Sequence, residues 1–258
     1  MAVKGTILGD ILGSPYEKHK PRDYETVPLL GQDLRYTDDT VTTLAVKKAI
    51  LEGSDLTQTM TDLCMQHIDC GFGGKFFNWI IDDNHKPYGS WGNGSAMRVS
   101  FIGEYFTSLS GVEEKAIESA EISHDSPEGI KGAVVVASCI WMARHNFTKD
   151  DIYEYVLAAY PTSDYLYSIE NTMEELREKY KWSVSCQDTV PVVMRCFYES
   201  HDYVSFIRNV FSLDCDADTF CAIGGGIAEE FYHGFGDIDC DYILKTYLPN
   251  DLYKILEM

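Results

Sequence analysis

Two short segments carry the residues best suited to chemistry. Thr37-Asp38-Asp39-Thr40 runs directly into the stretch Val41-Thr42-Thr43-Leu44-Ala45-Val46, and Asp216-Ala217-Asp218-Thr219 leads a second apolar stretch in the same way. Each sets two carboxylates and at least one hydroxyl at the first turn of an expected helix. One acid there is explained as a cap on the open N–H groups of that turn. Two acids exceed what capping needs, and the pattern occurs twice. If the two helix starts met, their carboxylates would repel one another in a partly buried site unless protons or cations neutralised them. Carboxylate and hydroxyl oxygens are hard ligands, which select Mg²⁺ or Mn²⁺, with Ca²⁺ behind, over zinc or copper. Four acids with two threonines exceed what a single Mg²⁺ usually takes from protein, so the donor count favours two ions.

Two glycine-rich stretches, Gly71-Phe72-Gly73-Gly74 and Gly89-Ser90-Trp91-Gly92-Asn93-Gly94, interrupt the patterning between helices. Glycine permits positive φ and close backbone approach, so these loops can turn N–H groups toward an anion; the alternative is ordinary turn chemistry. Gly224-Gly225-Gly226 lies inside a helical pattern and reads as close helix packing.

The elements that must hold these segments are helices. Ile130, Ala133, Val134, Ala137, Ile140 and Trp141 recur at helical spacing and build one apolar stripe, with Ser126 and Pro127 marking the helix start. Ser110 with Glu113, and Thr148 with Asp151, read as capping boxes. Further helices are expected near 39–52, 55–69, 95–107, 187–199, 201–211, 218–233 and 238–247. Strand-like alternation is scarce, so the expected class is all-α.

The chain has 258 residues, 45% of them apolar, enough for a sizeable core, and is read as one domain over 1–258. Its 21 Lys and Arg against 41 Asp and Glu leave a formal charge of −20, which opposes body-wide binding of nucleic acid or an anionic membrane surface. The eight cysteines form no C-x-x-C pair, which disfavours zinc and suits a reducing compartment. The opening MAVKGTILGDILGSP has a short apolar stretch broken by Asp10 and Gly13. No run approaches the roughly 18 apolar residues of a membrane span, so a cytoplasmic location is expected.

Five ordered segments resemble the ADP-ribosylglycohydrolase family, related to the dinitrogenase reductase-activating glycohydrolase. They are Gly9-Asp10-Ile11-Leu12-Gly13-Ser14-Pro15-Tyr16-Glu17, Tyr36-Thr37-Asp38-Asp39-Thr40, Gly89 through Arg98, Ser123-His124 with Pro127-Glu128-Gly129, and Asp216-Ala217-Asp218-Thr219. The resemblance implies an orthogonal multi-helix bundle with a binuclear Mg²⁺ or Mn²⁺ site, which hydrolyses the bond between ribose C1″ of ADP-ribose and an acceptor. That acceptor belongs to a modified protein or a small molecule. By position, Thr37, Asp38, Asp39, Asp216, Asp218 and Thr219 become metal ligands, and Asp38, Asp39 and Asp218 also serve catalysis. Glu17 matches a loop glutamate near the metal and is the one acid left free for gating or proton transfer. Ser90, Gly92, Asn93 and His124 match positions that hold ADP-ribose. Trp91 is placed to stack or to fill space, and Gly94, Gly71 and Gly73 complete the glycine-lined pocket. His124 alone would read as a structural histidine, and Asp10 as a cap or a support behind the site.

The chain departs from the family pattern ahead of Asp216, where Asp214-Cys215 stands in place of two glycines. The expected consequences are altered backbone geometry, an extra charge beside the ions, or a changed substrate preference. Two alternatives stay open at this point: a catalytically weak ADP-ribose-binding module and a metal-dependent nucleotide phosphohydrolase.

Overall fold

The computed structural model describes residues 2–258 and is all-α. Helix α1 (Ala2–Gly13) is buried along nearly its whole length, although the sequence reading saw only an interrupted apolar stretch there. Its Gly5, Gly9 and Gly13 fall four residues apart on one face, and a Cβ on any of them would overlap a carbonyl of the helix Ala217–Tyr232. That partner runs antiparallel, since Gly5 meets Gly225, Gly9 meets Cys221, and Gly13 meets Ala217. Glycine is a poor helix former by itself, so this helix exists because two backbones can touch. The expectation of close packing at Gly224–Gly226 is borne out, Gly225 and Gly226 on the same seam against Gly5 and Thr6, and Gly224 against Phe206 and Val193.

Around this pair the chain forms α2 (Asp38–Glu52), α3 (Leu56–Gln66), α4 (Gly74–Ile81), α5 (Gly94–Met97), α6 (Ser100–Tyr105) and α7 (Leu109–Glu121). There follow α8 (Pro127–Arg144), α9 (Lys149–Ala159), α10 (Met173–Lys179), α11 (Cys186–Tyr198), α12 (Tyr203–Phe211), α13 (Ala217–Tyr232), α14 (Cys240–Tyr247) and α15 (Asn250–Leu256). Among the described residues there is no sheet, only one antiparallel bridge between Gly92 and Ser185. None of the described helices is long and apolar enough to cross a membrane.

Ser126 caps α8 by accepting from the Gly129 N–H, and Thr148 and Asp151 form the expected capping box of α9. Helix α8 is buried on more than the one expected stripe, with Val135, Val136 and Cys139 as deep as Ala133 and Ile140. Two expectations are corrected. Residues 95–107 are not one helix but α5 and α6, broken at Arg98-Val99, where the Arg98 side chain turns into the interior. Ser110 caps nothing: α7 begins earlier, and Ser108 accepts from the Gly111 N–H. Helices α4, α10 and α15 were not anticipated; each is eight residues or shorter and depends on tertiary contacts rather than on a long period.

The antiparallel seam positions the chemistry. The end of α1 lies beside the start of α13, and the turn Ser14–Tyr16 then delivers Glu17 to the same end of the bundle.

Candidate active site

The two acid-bearing helix starts meet. Thr219 Oγ1, on α13, donates to Asp39 Oδ2, on α2, at 3.1 Å across 180 positions of sequence. Carboxylate oxygens of Asp10, Asp39 and Asp218 lie within 4.8 Å of one another, all three residues buried.

Capping does not account for the acids. The cap of α2 is Thr37, whose Oγ1 accepts from the Asp39 N–H at 3.3 Å. Asp216 precedes α13 without any side-chain cap bond, and its Oδ2 instead accepts from Asn93 Nδ2 at 2.9 Å. Asp10 sits behind them, fully buried in α1. It accepts from the Thr37 N–H at 2.9 Å, from Thr37 Oγ1 at 2.7 Å, from the Thr40 N–H at 3.2 Å and from the Thr40 hydroxyl. Both Asp10 oxygens are therefore occupied, so this residue braces the α2 start, the supporting role read from the sequence.

Asp39 Oδ1 is buried and has no hydrogen-bond partner among the described residues. An orphaned carboxylate oxygen of this kind costs free energy unless a proton or cation meets it. Burial, followed by repulsion from neighbouring acids, drives Asp38 up to about 8 and holds Asp39 and Asp218 well above the carboxylate range. Burial also raises Asp216 to about 6, opposed by the Asn93 bond. An all-oxygen donor set with an unmet buried oxygen fits a hard divalent cation.

A cavity of about 420 Å³ opens onto this cluster. Glu17, Asp38, Asp216, Asp218 and Thr219 line it on the acid side, and Gly71, Gly73, Ser90, Trp91, Gly92, Asn93, Gly94 and His124 line it on the loop side. Thr37 and Asp39 stand behind its wall, Thr37 bordering a second cavity of about 590 Å³ that shares Glu17, Asp38, Gly71 and Asp218 with the first. Gly71 adopts φ +114°, a conformation that needs glycine, beside Asp38.

The loops behave differently from expectation in one respect. The N–H groups of Gly89, Gly92 and Asn93 are taken by Asp125, Ser90 Oγ and the Val184 carbonyl, so those amides do not face an anion. Open amides also lie at the start of α4, where Gly73 offers no side-chain cap and Gly73, Gly74, Lys75 and Phe76 line the cavity. A helix start of this kind favours negative charge.

His124 is buried, and burial with the nearby Arg98 charge holds it well below the usual histidine range, hence neutral. Arg98 donates to Ser123 Oγ, whose single proton is then free to go to His124 Nδ1 at 2.8 Å. The ring proton therefore sits on Nε2, which abuts the glycine loop; a Cβ at position 94 would lie 3.0 Å from it.

Glu17 is not free of partners. Arg35 Nη2 lies 3.3 Å from its Oε2, and Lys18 Nζ lies 3.8 Å from its Oε1. Asp214 is exposed and lines neither cavity, while Cys215 is buried; neither has positive φ, so the backbone here does not require glycines. The sequence reading missed Arg98 as a buried cation in the cavity wall, and also Trp182 and Val184. Periodicity carries no signal for the last two, which lie in an irregular segment between α10 and α11.

The comparisons agree with this fold. A solved structure described as an ADP-ribosylglycohydrolase-related protein complex superposes with a TM-score of 0.71 at 18% identity, covering 98% of this chain and 93% of that one, a likeness of fold. Human ADP-ribosylhydrolase ARH3 is 25% identical over 302 aligned residues, covering 88% of this chain and 83% of that protein. An uncharacterized protein of Archaeoglobus fulgidus is 26% identical over 270 residues, covering 87% and 84%. Residues 1–242 match the sequence profile described as ADP-ribosylglycohydrolase, and the chain belongs to that family.

Proposed function

We propose that the chain, acting as one domain, hydrolyses the bond between ribose C1″ of an ADP-ribosyl group and its acceptor, with two Mg²⁺ or Mn²⁺ ions held by Thr37, Asp38, Asp39, Asp216, Asp218 and Thr219. The observation that carries this reading is the meeting of the two acid-bearing helix starts around the unmet Asp39 Oδ1, at the floor of a cavity large enough for a nucleotide. Bound there, such ions supply charge neutralisation and polarisation of ribose oxygens.

The chain's own residues divide the remaining work. The open amides at the α4 start, with Lys75 beside them, bind the pyrophosphate. His124 offers its Nε2 proton as a neutral donor, and half-exposed Trp91 presents an apolar face to the substrate. Glu17 stands where the two cavities meet. The first holds ADP-ribose and the second the acceptor, which places the scissile bond beside that carboxylate. Hydrolysis adds the water's hydroxyl to C1″ and its proton to the departing acceptor, and Glu17 accepts and returns that proton. The Arg35 ion pair keeps the Glu17 carboxylate aimed while leaving it reachable from both sides.

The deciding experiment incubates the protein with defined ADP-ribose conjugates, serine-linked, arginine-linked and small-molecule, in Mg²⁺ and in Mn²⁺, and identifies the products. Free ADP-ribose is the expected product. Release of AMP instead would make the chain a nucleotide phosphohydrolase, and tight binding without turnover would make it a binding module.

A further inference from the structure

Trp182 bridges parts of the molecule that sequence keeps far apart. Its indole Nε1–H donates to the main-chain carbonyl of Glu17 at 2.9 Å, across 165 positions. The ring is 45% exposed, yet it lines the cavity. A half-exposed tryptophan whose N–H is committed to one carbonyl is suited to fastening a surface loop rather than filling a core.

The segment that carries Trp182 is fastened on its other side to the glycine loop. The Val184 carbonyl accepts from the Asn93 N–H at 2.7 Å, and the Cys186 N–H donates to the Trp91 carbonyl at 2.9 Å. Gly92 and Ser185 pair across the same contact. Residues 182–186 thus form a strap with one end on Glu17 and the other on the loop 89–94. Beyond Glu17 the chain is exposed at Lys18, His19 and Lys20.

We propose that Trp182 is a positioning residue: the strap transmits the placement of the 89–94 loop to Glu17, so that substrate seated on that loop fixes the glutamate main chain and aims its carboxylate at the reacting bond. This rests on the reading of Glu17 as the group that handles the proton. The indole N–H, not the ring's bulk, is the operative feature. Removing it withdraws one hydrogen bond from a catalytic geometry in which small displacements are costly.

The test replaces Trp182 with Phe, and separately with β-(benzothienyl)alanine, which keeps the bicyclic shape without the N–H. Both are made in the full chain with Mg²⁺, in the wild-type and the Glu17→Gln backgrounds. Hydrolysis of serine- and arginine-linked conjugates is measured together with amide hydrogen exchange over residues 14–22. The expected result is a kcat lower by about 10-fold in both variants, as for one net hydrogen bond, with KM within about twofold. Exchange over 14–22 rises, and no further loss of rate occurs in the Glu17→Gln background, because the residue acts through Glu17. Unchanged exchange, full activity of the benzothienyl variant, or an equal loss in both backgrounds would overturn the proposal. If Glu17→Gln alone leaves the rate intact, the role assigned to Glu17 fails, and exchange over 14–22 then decides by itself whether Trp182 holds that loop.

Discussion

Two buried charged regions border the same cavity and are handled in opposite ways. Arg98 is 1% exposed, and burial lowers its guanidinium only to about 10, so it stays charged at neutral pH. Its N–H groups go to the Ser119 carbonyl, Ser119 Oγ and Ser123 Oγ. The acids of α2 and α13 crowd together, their carboxyls are raised by burial and mutual repulsion, and one buried oxygen of Asp39 has no partner among the described residues. The contrast teaches how to tell structure from site. Each guanidinium nitrogen of Arg98 meets a protein acceptor, so that buried group is held by the fold; where the acids leave an oxygen unmet, the missing partner comes from outside.

The largest expected effect breaks the unfinished region. Asp38→Ala or Asp218→Ala should lower kcat by about 10²-fold or more, because reactant positioning fails without these carboxylates. Rates are measured beside circular dichroism to show that the fold survives, and near-normal turnover in either variant would remove the acid cluster from the chemistry.

Next in size is the response to divalent ions. At about 100 times the dissociation constant, each ion that binds only the folded chain adds about 2.7 kcal/mol, which at roughly 2–4 °C per kcal/mol raises the melting temperature by several degrees. NaCl at matched ionic strength should do less, since screening supplies no ligand bonds. Equal melting in chelator and in Mg²⁺ or Mn²⁺ would contradict the cation reading.

Ser123→Ala tests the finished region. It strips the hydroxyl shared by Arg98 and His124 and should cost about 1–3 kcal/mol, by the same amount in chelator as in Mg²⁺. A cost that depended on the ion would join the two regions into one.

A last test reads the pH dependence of stability without divalent ions. Asp10 and Asp216 are raised to about 6 and Asp38 to about 8, from an ordinary 3.8, burial being the first cause in each. The folded chain then holds more protons than the unfolded one. This contribution to stability is complete below the ordinary carboxylate value and is lost as pH rises through the raised ones. Melting in chelator should therefore fall between about pH 4 and pH 8, and Asp38→Asn should flatten the upper part of that fall. A rise in melting temperature over the same range would show that the acids are already paired.

Local interactions were readable from the chain. Ser126 with Pro127, and Thr148 with Asp151, act within one helical turn, and the structure keeps them as expected. Helix α1 was missed because its glycines weaken it locally, and it is made stable by touching the α13 backbone more than 200 positions away. The single helix expected at 95–107 failed because the burial of Arg98 interrupts it, and a demand made by Ser119 and Ser123 leaves no trace in helical spacing.

By itself the sequence determined which groups could do chemistry: acids paired at two helix starts, glycine loops, and an ordered set of family segments. Caps, periods and motifs are short-range, and a chain carries them openly. Only the tertiary structure decided that those acids face one another, that Thr37 rather than an aspartate caps α2, and that Asp10 braces the α2 start from within α1. It also decided that the Gly89, Gly92 and Asn93 amides are spent on Asp125, Ser90 and Val184 while the start of α4 stays open, and that Trp182 reaches Glu17. Each of these depends on helices meeting through packed surfaces, and the seam where α1 lies against α13 brings Glu17 to the cluster.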